Sequence, residues 1–288
     1  MPLLKISGRE ISQHYELVQA EISIGFDQVP AAEILLVYRS KAYGPHSPEG
    51  MSLMPGIHIE VMAAIPQDIQ VALFSGNIAS VRWEISGSGN SYLRLSCSHL
   101  TAQMVLSGPR EIASAFSDSH LMERIITSHN LQPSIENTET ISAHAPLERS
   151  NDWELLCSIA RRNGCVIDCA DSASVKVGPP RLKGEIAQKI TCGAPGQSYH
   201  IGIHSQGFPQ GPLRTISQLL SDHARPVDGK IFLQGHTSLR PGSLLELSGF
   251  GACYDGRAIV TGLVNHLEDG QWSSYLNFLG VSTLADRP

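Results

Sequence analysis

The amino-acid sequence predicts a mainly β protein: two related antiparallel β-barrel domains with a helical connector between them. Three features carry this expectation. Apolar residues alternate with polar ones in short segments at both ends of the chain, separated by Gly- and Pro-rich turns. Helical spacing is best marked near the middle, and a Pro-Gly turn with its following strand recurs 186 residues further on. A length of 288 residues agrees with about two domains of roughly 100–200 residues each.

In the first region Val18, Ala20, Ile22 and Ile24 recur at a period of two, as in a strand with one buried face. Similar segments follow at 32–38, 57–62, 71–85 and 92–97, broken by the turn-rich stretches 44–50 and 86–90. Leu121, Met122, Ile125 and Ile126 then repeat at helical spacing behind Asp118 and Ser119, either of which can cap free N–H groups. A second helix opens at Asn151, with Glu154 three residues later in the pattern of a capping box. Trp153, Leu156, Cys157 and Ala160 form its apolar face and Gly164 closes it. Arg161 and Arg162 are expected on its exposed side, near the negative end of the helix dipole. Strand patterns return at 165–167, 175–177, 199–204, 230–233, 244–247, 258–264 and 272–279, with one further helix near 215–223. The expected division is a first β-barrel domain over 1–110, a helical, mixed connector over 111–170 and a second β-barrel domain over 171–288.

The two β regions share anchors. Residues 52–56 (SLMPG) are matched by 238–242 (SLRPG), and Glu60-Val61 by Glu246-Leu247, all shifted by 186 residues. Phe74-Ser75-Gly76 parallels Tyr254-Asp255-Gly256 at a shift of 180, and Ser91-Tyr92-Leu93 parallels Ser274-Tyr275-Leu276 at 183. Pro55-Gly56 and Pro241-Gly242 suit tight turns, because Pro fixes φ at one corner and Gly supplies a positive φ at the next. Gly76 and Gly256 are read as further structural turns. Two unrelated β domains that share turn chemistry remain the alternative to a duplication.

Composition and motifs narrow the chemistry. The formal charge of −6, from 21 basic and 27 acidic residues without long runs, gives no footprint for nucleic-acid recognition. No 18-residue apolar stretch spans a bilayer, and the first residues lack the apolar core of a signal peptide, so synthesis in the cytoplasm without membrane insertion is expected. The six cysteines read as mostly buried thiols of a reducing compartment. Phosphate-loop, zinc-protease and hydrolase-elbow motifs are absent, and Gly249-Phe250-Gly251 reads as a hairpin rather than a nucleotide loop. Cys165, Asp168 and Cys169 lack a second ligand pair at zinc spacing. His200 and His204 fall roughly 13 Å apart on one face of a strand, too far to share an ion. Trp83, Trp153 and Trp272 lie within regular elements and are expected in cores. No catalytic, cofactor-binding or metal-binding residue is assigned, and no cofactor is expected.

In order and spacing, residues 74–78 (FSGNI), 150–164 (SNDWELLCSIARRNG), 239–242 (LRPG), 256–260 (GRAIV), His266 and 270–272 (GQW) resemble the hub proteins of contractile injection machines. That group includes the late control protein D family of phage tails and the hub portion of VgrG spike proteins, and the resemblance runs from about residue 16 to 280. It implies a non-enzymatic trimer whose subunits each supply two related barrels, giving a ring of pseudo-sixfold symmetry. Such a ring joins a hexameric inner tube to a trimeric spike and contacts other baseplate proteins, within an assembled phage tail or tail-like particle. VgrG proteins continue into a needle, whereas this chain stops at Pro288, so the resemblance implies a separate spike protein. The residues alone also leave open a tail-associated cell-wall glycan hydrolase and a carbohydrate- or protein-binding β module.

Overall fold

The computed structural model describes residues 3–38, 53–65, 69–85, 91–108, 117–138, 151–169, 173–203, 226–234, 238–268 and 270–282. In chain order, β1 (Leu3–Ile6), β2 (Arg9–Glu10), β3 (Tyr15–Gly25), β4 (Ala31–Tyr38), β5 (His58–Ile65), β6 (Ile69–Ile85) and β7 (Ser91–Ser98) come first. A helical region follows, with α1 (Ala102–Val105), α2 (Asp118–Ser128), β8 (Gln132–Ile135), α3 (Asp152–Arg162), β9 (Val166–Asp168) and β10 (Ser174–Gly178). The chain continues with β11 (Gln188–Thr191), β12 (Gln197–Ile203), β13 (Pro226–Gln234), β14 (Leu244–Ser248), β15 (Gly256–Glu268) and β16 (Gln271–Ser282). The protein is mainly antiparallel β, as its alternating patterns require. The helix expected near 215–223 falls outside the described residues.

The helices start where short side chains can satisfy free amides. Asn151 Oδ1 accepts from the Glu154 N–H at 2.9 Å and caps α3. For α2 the cap is Ser117, whose hydroxyl accepts from the His120 N–H, rather than Asp118 or Ser119. Asp118 is fully buried and instead accepts from Arg162 and Asn163 of α3 and its cap.

Ten strands form two five-strand units of the same order, with β1 and β2 extending the first beyond β5 and β11 pairing with β14 of the second. In the first, hydrogen-bonded neighbours run β3-β4-β7-β6-β5; in the second they run β12-β13-β16-β15-β14. Each unit packs its own core. Ile22, Ile34, Leu36, Ile59, Ile78 and Leu95 lead the first, and Ile231, Leu245, Val260, Leu276 and Phe278 the second. The helical unit has a third core around Met122, Ile126, Leu156 and Ile167, beside the three-stranded sheet β8-β10-β9. A fourth cluster joins residues from all three parts: Phe26, Val166, Leu244, Ile259 and Leu279.

The units also share a ladder, which local patterning does not announce. β3 pairs antiparallel with β15 from Gly25↔Gly262 to Gln19↔Glu268, so the strands of both halves form one 13-stranded sheet. The two five-strand units are therefore continuous through their backbones as well as packed against each other.

Candidate assembly surfaces

The repeat is visible as matched hydrogen bonds. Gly56 (φ +91°) donates to the Ile78 carbonyl at 2.8 Å, and Gly242 (φ +89°) donates to the Val260 carbonyl at 2.8 Å. In return the Ile78 N–H reaches the Ile57 carbonyl and the Val260 N–H the Ser243 carbonyl, both at 2.9 Å. Pro55 and Pro241 each lie between the partners of a four-residue turn, closed by Ile57 N–H to Met54 and by Ser243 N–H to Arg240. The irregularities match too. The β6–β7 register shifts between Ile78 and Ser80, and the β15–β16 register between Val260 and Gly262, so each unit carries a bulge at the same place.

These registers correct two of the sequence matches. Ile59 pairs with Gly76 and its counterpart Leu245 with Ala258, so Gly76 corresponds to Ala258 rather than to Gly256. Likewise Val81 pairs with Leu95 and Leu263 with Leu276, so the counterpart of Leu276 is Leu95 rather than Leu93. Both mismatches amount to two residues, which is the pleat period and preserves the buried face. Gly76 is also not a turn. It lies inside β6, where a Cβ would strike the Ser98 carbonyl oxygen and the Phe74 ring at 2.7 Å. Gly256 opens β15 at φ +153°, just after the loop that begins at Gly249. That loop is a hairpin connection, held by Phe250 N–H to Asp255 Oδ1 at 2.8 Å.

At the seam between the units, Ala20, Ile22, Leu263 and Leu267 are almost wholly buried. Glu21 and His266 face each other across it, Oε2 3.5 Å from Nδ1. Asn265, 1% exposed, accepts hydrogen bonds from Trp272 Nε1 at 3.0 Å and Ser274 Oγ at 2.7 Å. From the seam outward, His266, Tyr275 and Phe232 make a row of ring contacts, with Tyr275 45% exposed. In the first unit Arg94 Nε donates to Glu84 Oε1 at 2.8 Å and holds that carboxyl below its ordinary value.

The helical unit is anchored by charge. As expected, Arg161 and Arg162 lie exposed in the last turn of α3, and each also donates to a buried carboxylate. Arg161 Nε lies 3.1 Å from Asp27 Oδ2. Asp27 also receives the Ile167 N–H at 2.9 Å, while its own N–H donates to the Ile167 carbonyl at 2.9 Å. Arg162 and Asn163 close on Asp118, with Nη2–Oδ1 2.9 Å and Nδ2–Oδ2 2.7 Å. His129 Nε2 lies 2.7 Å from Oδ2 of buried Asp152. Asp27 ties the helical unit to the end of β3, whereas the Asp118 and Asp152 contacts brace that unit internally, and these partners offset part of the cost of burying the carboxylates. No motif marks these contacts, because their members are 134 and 44 residues apart in the chain.

The remaining sequence candidates fall as follows. Cys97, Cys157, Cys165 and Cys169 are buried, Cys192 and Cys253 exposed. Burial pushes the Cys97 and Cys157 thiols up to about 12 and raises Cys165 and Cys169 as well. His200 is exposed on β12, and His204 lies outside the described residues. Trp83 and Trp272 pack against the first core, Trp153 against the helical one. Among the described residues, no three His, Cys, Asp or Glu side chains come together as a metal site, and no helix is long and apolar enough to cross a membrane. The prominent features are thus edges, seams and faces of sheets.

No curated protein matches the sequence. Among solved structures, a tail protein from Neisseria meningitidis superposes at a TM-score of 0.72 with 12% identity, over 100% of this chain and 99% of that one. A prophage tail protein from Shewanella oneidensis gives 0.69 at 9%, over 96% and 97%. An Escherichia coli component of the type VI secretion system, described as structurally similar to T4 bacteriophage tail proteins, gives 0.66 at 13%, over 97% and 77%. At these identities the likeness is one of fold. One family matches in sequence, over residues 2–205, which take in the first five-strand unit, the helical unit and the strands up to β12. The chain belongs to the Alg8 N-terminal domain family.

Proposed function

We propose that this protein is the structural hub of a contractile injection machine, a homotrimeric adaptor between a hexameric inner tube and a trimeric spike in a phage tail or tail-like particle. The observation that carries the reading is the repeated five-strand order within a fold shared with tail proteins. A trimer of single units presents threefold symmetry to a sixfold tube. A trimer of duplicated units presents six similar surfaces, which removes the mismatch. In this reading 1–110 and 171–288 are the two ring-forming domains, and 111–170 is a connector tied to the first through Asp27 and braced internally through Asp118. The role is non-enzymatic, with no cofactor, and other baseplate proteins bind the periphery. Pro55, Gly56, Pro241 and Gly242 serve it by setting the corner that starts the strand in each unit.

The test is native mass measurement of the chain with tube and spike proteins present. A trimer bound to both is expected. A stable monomer or dimer under those conditions overturns the proposal.

A further inference from the structure

The repeat specifies what the second edge of each unit should meet. In the matched registers β12 corresponds to β3, with Ile201 at the position of Ile22. The C-terminal half of β6 corresponds to that of β15, with Val81 at the position of Leu263 and Glu84 at that of His266. β3 and β15 pair with each other, yet among the described residues the outer edge of β12 and the second edge of residues 80–85 carry no ladder. Burial differs in the same sense. Ile22 is 0% and Leu263 3% exposed, whereas Ile201, Val81 and Trp83 are only partly buried.

From these observations we infer that copies of this chain join head to tail through an antiparallel ladder between residues 80–85 of β6 and residues 199–203 of a second copy's β12. The register that repeats the internal seam sets Trp83 opposite Ile201 and Glu84 opposite His200. The pairing of an acid with an imidazole supports this register, with Glu84 also held by Arg94. At the internal seam an acid on β3, Glu21, faces an imidazole on β15, His266. At the proposed seam the imidazole, His200, sits on the β3-like strand and the acid, Glu84, on the β15-like strand. Both ends are exchanged, and complementarity is kept. The contact is heterologous, so each copy offers one edge of each kind and a closed ring leaves neither exposed. This inference deepens the ring proposed above and rests on it.

To test it, Glu84→Cys and His200→Cys proteins, each in a Cys192→Ser, Cys253→Ser background, are mixed with tube and spike proteins and oxidised, and the assembly is weighed in its native state. A disulfide between the two variants is expected, formed about tenfold faster than in an Arg82→Cys and His200→Cys mixture, because directly opposed β-carbons lie ~5 Å apart and diagonal ones ~7–8 Å. Oligomers that show no preference for the 84–200 pair overturn this ladder and leave the ring reading standing. A chain that stays monomeric overturns both.

Discussion

Gly56 and Gly242 occupy one corner twice over: at φ +91° and +89°, each sends its N–H 2.8 Å to the second strand that follows, to Ile78 in β6 and Val260 in β15. A Cβ on Gly56 would meet nothing within 4 Å, and one on Gly242 only the Phe26 ring at 3.7 Å, so backbone conformation rather than space demands glycine. Gly56→Val and Gly242→Val should each cost about 1–3 kcal/mol, read as a lowered midpoint in denaturant. Wild-type midpoints for both variants would show that these corners are not structural.

Gly229 is restricted for a different reason. A Cβ there would strike the His200 carbonyl oxygen and the Phe278 ring at 2.8 Å. The equivalent pair in the first unit is Ala32 opposite Cys97, where the smaller partner of the pair makes room. Gly229→Ala should cost about 1–3 kcal/mol by overpacking. Adding Phe278→Leu should recover part of that loss, and a double-mutant cycle with no coupling would refute the contact.

Asp27 predicts a pH dependence. Burial raises its carboxyl above the ordinary 3.8, outweighing the Ile167 amide and Arg161, which both lower it. The folded state therefore holds this proton more tightly than the unfolded chain. Its contribution to stability is greatest below the ordinary carboxylate range and declines as pH rises through the raised folded value. Relative to wild type, Asp27→Asn should be least stable in acid and gain as pH rises toward neutrality. Parallel pH profiles for the two proteins would contradict this.

Asn265→Ala removes an acceptor shared by the half-buried Trp272 and the buried Ser274 at the seam, leaving Trp272 only its bond to Ser274 Oγ. A loss of about 1–3 kcal/mol is expected, accompanied by a change in Trp272 fluorescence. Asn265→Asp, which keeps an acceptor but buries a charge, should not restore stability.

Alkylation under native conditions should label Cys192 and Cys253 and spare the other four thiols until denaturant is added. Peptide mass mapping reads the result, and rapid labelling of Cys97 or Cys157 would show that the cores open readily.

What the sequence made legible was local. The Asn151 cap lies three residues from its amide, and the Pro-Gly corners lie within four-residue turns, so short-range pattern captures both. The slip by two at Gly76 and Leu93 had no visible sign, since a shift of one pleat period leaves every apolar residue on its face. The carboxylate partners of Arg161 and Arg162 were not legible, because Asp27 and Asp118 are remote in the chain. The β3–β15 ladder is bonded through backbone groups, which every residue carries, and alternation reports which face is buried but not which strand lies alongside.

That ladder also orders events during synthesis. Ile24 pairs with Leu263, so β3 is translated roughly 240 residues before its partner, about 10–50 s at ordinary ribosomal speeds. Throughout that interval a nascent strand bearing Ala20, Ile22 and Ile24 presents an open edge to every other chain on the same polysome. The join that makes the two halves one body therefore makes β3 the point at which a growing chain is most exposed to wrong pairing. Slow translation should cost yield through that strand before any other.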